Sequence, residues 1–280
     1  MAKKMATPKP SRVAVPAAGA TLEQLEDGVQ LLRFNRPERL NALDDATVAL
    51  VQTLLQKVAS DADCRVLILS GAGRGFCSGF DLSLAADAPG SAHGETQAWM
   101  KRQENFSRLV TQLKDLQQPV IAAINGPANG AGLGLALACD IRIAAASARF
   151  NAAFIRVGMS SCDIGVSYLL PRCVGMSRAF EIMLTGRMVD AQEAQRIGLV
   201  SQLVADEELM PQALASARQI AANSSFAVWM TKRGMWANVE ASSLHSAIEL
   251  ENRTQILART TGELKAAAQA LLARQAKGNP

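Results

Sequence analysis

The period of the apolar positions changes along the chain, and each change predicts an element. Residues 20–25 and 29–35 flank Asp27-Gly28, a two-residue turn signal, and predict a β-hairpin. Beyond Asn41–Asp45 the period lengthens. Val48, Val51, Leu54, Leu55 and Val58 recur at helical spacing and predict a helix to about Val58. Val66-Leu67-Ile68-Leu69 is a short continuous apolar run, expected to be a buried strand that ends at Ser70-Gly71. Residues 71–81 read as a loop, and 82–95, small and polar, as a flexible segment. A helix over about 97–114 is expected to bury Trp99, Phe106, Leu109, Val110 and Leu113. Gln118-Pro119 breaks it, and Val120–Ile124 predicts the next buried strand. A glycine-rich turn then leads into a helix over about 131–139. Ile141–Ala144 and a stretch near Arg149-Phe150 predict two more strands. After residue 160 the pattern is helical almost to the end, broken at Gly175, Gly186, Gly198 and Ser224-Ser225. Strand–helix alternation to about residue 200, then helices alone, implies an α/β core with a helical C-terminal region.

Composition narrows the function classes. Of 280 residues, 49% are hydrophobic, 19% charged and 4% aromatic, enough for a large core and too few aromatics for base-stacking platforms. The net charge is +4, and it is uneven. Residues 1–12 carry Lys3, Lys4, Lys9 and Arg12 without an acid, and residues 252–280 carry Arg253, Arg259, Lys265, Arg274 and Lys277 against Glu263. The body between is therefore acidic, which argues against a nucleic-acid face. Cys64, Cys77, Cys139, Cys162 and Cys173 form no CxxC pair, so neither a zinc site nor a disulfide framework is expected, and a reducing cytoplasm fits. Residues 1–20 lack the apolar run of a secretory signal and read as a disordered leader, an organellar transit peptide being the other reading. Residues 116–139 hold no charge and are long enough to span a bilayer, but Asn125, Gly126, Pro127, Asn129, Gly130, Gly132 and Gly134 make a glycine-rich loop the better reading. No membrane partner is expected.

The chemistry is narrowed by what is missing. There is no GxxxxGK[ST], no HExxH and no GxSxG, and Gly130-Ala131-Gly132 misses GxGxxG by one position. His93, in a loop, and His245, in a helix, do not suit a Ser-His-Asp mechanism. Two loops remain, Gly73–Leu82 and Asn125–Gly132, each after a buried strand. Glycine lets each present backbone N–H groups at close range, and the second opens a helix, whose N-terminus favours negative charge. If the two converge they make an oxyanion hole; taken singly, each is also an ordinary tight α/β turn.

The chain resembles the enoyl-CoA hydratase/isomerase (crotonase) superfamily from about residue 20 to the C-terminal helix. The matching stretches are Asn35-Arg36-Pro37-Glu38-Arg39-Leu40-Asn41-Ala42-Leu43, Phe76-Cys77-Ser78-Gly79-Phe80-Asp81-Leu82, Pro119 to Gly132, Ala138-Cys139-Asp140-Ile141-Arg142, and Leu184-Thr185-Gly186-Arg187 with Ala191–Ala194 and Gly198-Leu199-Val200. The resemblance implies a spiral of ββα units over 20–200 after a leader at 1–19. It also implies a helical region at 201–280 that builds a homotrimer or a dimer of trimers. It implies an acyl-CoA thioester as substrate, with no metal and no further cofactor. The backbone N–H groups of Cys77 and Ala131 would hold the thioester oxygen as it becomes an enolate. Arg39, Ala42, Gly79, Asp81, Leu82, Gly132, Gly134 and Phe154 would line the substrate, and Lys265 and Lys277 could reach a neighbouring subunit's CoA.

Two positions depart from the pattern. Hydratases of the family use two glutamates to place and deprotonate the attacking water, and here those positions hold Gly134 and Phe154, which transfer no protons. One carboxylate stays close by, Asp163 in Gly158-Met159-Ser160-Ser161-Cys162-Asp163-Ile164-Gly165, where some family isomerases carry a catalytic aspartate. A pocket of Met159, Phe154 and Ile164 would raise its pKa. Alternatively, Ser160-x-x-Asp163 is a capping box for the next helix. The expectation is an acyl-CoA enzyme more isomerase-like than hydratase-like. The alternatives are a non-catalytic acyl-CoA-binding homologue and another crotonase chemistry such as thioester hydrolysis.

Overall fold

The computed structural model describes residues 19–85, 90 and 94–276. Residues 1–18 of the leader expected at 1–19, much of the small polar segment, His93 and Lys277 lie outside these residues, and Gly19 belongs to the first strand. The hairpin forms as expected: β1 (Gly19–Glu26) pairs antiparallel with β2 (Val29–Asn35) around Asp27-Gly28. Helix α1 (Asp45–Ser60) starts where the Asp44 carboxylate accepts the Thr47 N–H at 2.7 Å, one of the orphan donors of a helix start. It buries Val48, Val51, Leu54, Leu55 and Val58, the residues whose spacing predicts it.

The chain then winds in repeated strand–helix turns. Strands β3 (Val66–Gly71), β4 (Val120–Ile124) and β6 (Ile141–Ala145) add in parallel to β2, with Leu67 opposite Val120 and Ile121 opposite Ile141. Their continuous apolar runs fit a sheet covered on both faces. Helix α2 (Glu95–Asp115) and helix α3 (Ala131–Ala138) lie on one side. On α2 the buried residues include Phe106, Leu109, Val110 and Leu113, but Trp99 is only half-buried, with Arg102 over its ring at 5.3 Å. A second sheet holds β5 (Pro127–Asn129), β7 (Arg149–Asn151) and β8 (Val189–Asp190).

Helices α4 (Val166–Val174), α5 (Met176–Thr185) and α6 (Ala191–Arg196) follow, and then β9 (Gln202–Val204) completes the large sheet in the order β1-β2-β3-β4-β6-β9. Strands β8 and β9 correct the expectation of helices alone after residue 160. They are two and three residues long, too short for alternation to register, and they exist through their partners Phe150 and Ile143. Helix α7 (Leu209–Ala221) lays Leu209, Ala213 and Ala217 on the other face of the sheet against Leu31, Ile68, Ile121 and Ile143. The two alanines let the helix come close.

The chain ends in α8 (Ser225–Val239), α9 (Leu244–Arg259) and α10 (Glu263–Ala276). Helix α8 is pinned by Lys232. Its buried ammonium donates to the carbonyls of Leu113 and Gln118 at 3.1 and 3.0 Å and pairs with Asp140 at 2.9 Å. The Trp236 indole N–H donates to the other Asp140 oxygen at 2.9 Å. Helix α9 buries no residue, and Met235, Leu244, Ile256 and Leu264 are exposed. Among the described residues no helix is long and apolar enough to cross a membrane.

Candidate active site

The two glycine-rich loops meet. Cys77 bridges to Ala128, and the Asn129 N–H donates to the Cys77 carbonyl at 3.0 Å. A Cβ on Gly132 would stand 1.9 Å from that carbonyl, so only glycine allows α3 to start there. Gly79, at φ +94°, brings the first loop beside the second: a Cβ there would meet the Asn129 carbonyl at 2.8 Å and the Ala131 nitrogen at 3.2 Å.

Cys77, expected as one of the two donors, stands at the join of the loops. Its N–H donates to the Pro127 carbonyl at 3.0 Å, so it is spent on joining the loops. Its thiol is fully buried, and burial pushes it up to about 12, which leaves no nucleophile. An amide near the Gly79 turn that has no acceptor among the described residues is that of Phe80. Its chain neighbours Gly79 and Asp81 both bond to Leu43, the Gly79 carbonyl accepting the Leu43 N–H and the Asp81 N–H donating to the Leu43 carbonyl, while the Phe80 N–H donates to nothing among the described residues. The Ala131 N–H, at the first position of α3, is likewise undirected within the chain. Gly79, with its positive φ, is the residue in the sequence that marks this close approach of the first loop to Ala131.

The other expected site residues divide. Asp81 is buried and engaged: its carboxylate accepts from the Ser83 hydroxyl at 2.7 Å and from Arg36 at 2.9 Å, which hold it below the usual carboxylate range. It therefore holds the loop and offers no side chain to a substrate. Arg36, which also donates to the Ala42 carbonyl at 2.7 Å, is the residue that was missed. Ala42 is buried, Arg39 and Leu82 are exposed, and Lys265 is exposed on α10.

On the far side of α3, Gly134 faces Ile164. A Cβ at 134 would lie 2.6 Å from Ile164 Cγ2 and 2.9 Å from the Ile164 carbonyl oxygen. Ile164 sits at φ +42°, a costly conformation for a β-branched residue, and is 4% exposed. The Phe154 ring stands over Gly130, where a Cβ would touch it at 3.6 Å. So Ile164 and Phe154 fill the space beside the loop start. Met159 does not line this pocket; it is 62% exposed.

Asp163 is half-buried. Its Oδ1 accepts from the Ile164 N–H at 2.6 Å and from the Gln103 side-chain amide. Burial raises its pKa above the ordinary value, and these two hydrogen bonds oppose that rise. The capping box does not form. The Ser160 hydroxyl accepts from Cys162 N–H, and α4 begins after Gly165 with no side-chain cap. His245 is exposed on α9. Among the described residues no cluster of three or more His, Cys, Asp or Glu could hold a metal ion. A cavity of about 610 Å³ lies at Asn35–Glu38 and Asp44–Leu50, and one of about 200 Å³ between Ala59–Arg65 and α8; neither touches Ala131 or Asp163.

Two glycine-rich loops meet at the start of α3, and the Asp163 loop packs on that helix through Ile164. Residues 24–277 match the family described as enoyl-CoA hydratase/isomerase. The chain belongs to the enoyl-CoA hydratase/isomerase family. It is 44% identical over 229 residues to the probable enoyl-CoA hydratase echA12 of Mycobacterium bovis, covering 81% of this chain and 80% of that one. It is 38% identical to the 1,2-epoxyphenylacetyl-CoA isomerase of Escherichia coli, over 91% of this chain and 95% of the other. Among solved structures, a probable enoyl-CoA hydratase/isomerase from Mycobacterium abscessus superposes with a TM-score of 0.85 at 38% identity, covering 94% and 97% of the two chains. A monofunctional enoyl-CoA isomerase from M. smegmatis superposes with a TM-score of 0.70 at 42% identity, covering 82% and 98%. The family places the protein among acyl-CoA enzymes, with the crotonase fold.

Proposed function

We propose that this family member moves a double bond in an enoyl-CoA thioester rather than adding water to one. The N–H groups of Phe80 and Ala131 hold the thioester oxygen. Asp163 removes a proton from the α-carbon of a β,γ-enoyl-CoA, the electron pair shifts onto that oxygen as a dienolate, and the same carboxyl returns the proton at the γ-carbon. A raised pKa suits a group that must be base and then acid. The observation that carries this reading is the packing of Ile164 on Gly134, which fills the place where a hydratase glutamate would hold its water. Arg39 and Leu82, exposed at the loop mouths, are positioned to meet the CoA moiety. The bare apolar face of α9 fits burial in a homotrimer or a dimer of trimers.

The test compares two substrates. A β,γ-enoyl-CoA should be isomerised, while crotonyl-CoA hydration should be slower than in a two-glutamate hydratase by at least 10²–10⁴-fold, as expected for a missing general acid/base. Asp163→Asn should abolish isomerisation and keep acyl-CoA binding. Ordinary hydratase turnover would overturn the reading. Binding without any turnover would select a non-catalytic acyl-CoA-binding homologue, and release of free CoA would select thioester hydrolysis.

A further inference from the structure

We propose that Gln103 is a positioning residue for Asp163: its side-chain amide holds Oδ1, so that Oδ2 is the oxygen that carries the proton. The proposal rests on Asp163 being the proton carrier. Two donors converge on one carboxylate oxygen, the Ile164 N–H at 2.6 Å and the Gln103 amide, and among the described residues none reaches Oδ2. The oxygen with two donors is the poorer base, so a proton adds to the other. The first donor is local, set by the left-handed backbone at Ile164, which turns its own N–H back onto the preceding side chain. The second comes from α2, 60 residues away in sequence, and fixes the carboxylate plane against an independent element.

The chemistry of the donor matters. A cation here would hold Asp163 ionised and make it a poor acid for returning the proton. A neutral amide orients the group with a smaller downward pull. Two cations of α2 are engaged elsewhere. Arg102, next to Gln103, pairs with Asp45 at 2.8 Å. Lys114, at the end of α2, sits over the Trp236 ring at 4.5 Å.

Gln103 is exposed on its helix, so Gln103→Leu should fold, and Gln103→Met provides a second variant of the same length without the donor. The test follows the Asp163 carboxyl by carbon-13 NMR titration in the full chain. It also measures the pH profile of kcat on a β,γ-enoyl-CoA and the Kd for acyl-CoA. A hydrogen bond to a charged group is lost, which raises the Asp163 midpoint. The titration and the acid limb of kcat should therefore move up together by about one pH unit, about tenfold in kcat on that limb, with Kd unchanged. Unchanged midpoints in both variants, with Asp163→Asn inactive, overturn the role of Gln103 alone. Full turnover in Asp163→Asn overturns the base assignment, and this proposal with it.

Discussion

Ile164 stands in the space that a side chain at Gly134 would need, with its Cγ2 2.6 Å and its carbonyl oxygen 2.9 Å from where a Cβ would be. The helix α3 and the Asp163 loop are therefore fitted to each other through the absence of one methyl group.

This fit predicts the sign of a simple substitution. Alanine is better than glycine inside a helix by about 1 kcal/mol. Forcing a methyl into a packed contact costs about 1–3 kcal/mol, and the Ile164 carbonyl is backbone and cannot rotate away. Gly134→Ala should therefore lower stability in urea unfolding. The double change Gly134→Ala with Ile164→Ala should cost less than the sum of the two singles, because one clash is shared. Additive costs would show that the two residues do not meet.

Asp163 predicts a pH dependence of stability. Burial raises its folded-state pKa above the value of the unfolded chain, so the folded form binds the proton more tightly. Stability then falls as pH rises from the unfolded value through the raised one, and the loss persists above it. Asn keeps an acceptor for the Ile164 and Gln103 donors but never ionises. Asp163→Asn should melt higher than the parent at neutral pH and equally at pH near 3. A lower melting temperature at neutral pH would mean that the charged form is the stabilised one.

The Lys232–Asp140 pair predicts a large effect far from the chemistry. All three ammonium protons have acceptors: two carbonyls and a carboxylate. Lys232→Met leaves the Asp140 charge without its cation. That loss costs about 3–5 kcal/mol for a buried pair, toward the lower end here because Trp236 and Val120 N–H still donate to Asp140. Calorimetry should show the drop, and Lys232→Met with Asp140→Asn should recover part of it.

Much of this was readable in one dimension. The hairpin at Asp27-Gly28, the helix ended by Pro119 and the apolar strands Val66–Leu69 and Val120–Ile124 announce themselves, because period and turn chemistry are local. Convergence of the two glycine loops was not fixed by their composition, which fits two separate tight turns as well; it came with the family resemblance. Which amide is free was not legible: Cys77 and Phe80 differ only in that the Pro127 carbonyl, 50 residues from Cys77, takes the former. Gln103 and Arg36 escaped for the same reason, since a polar residue on a helix or loop carries no mark of the carboxylate it will meet.

Two amide side chains described only by their neighbours so far set the character of the first loop. Asn41 donates to the carbonyls of Ala72 and Gly75 at 3.0 and 2.7 Å, and Asn125 donates to those of Gly71, Gly73 and Gly75 at 2.9, 2.9 and 3.2 Å. The turn is thus tied at its start, over residues 71–75, by two side chains from outside it. Dipoles locked this way need not reorient when charge appears on the thioester oxygen. The energy of arranging them is spent during folding, once per molecule, and not again at each turnover.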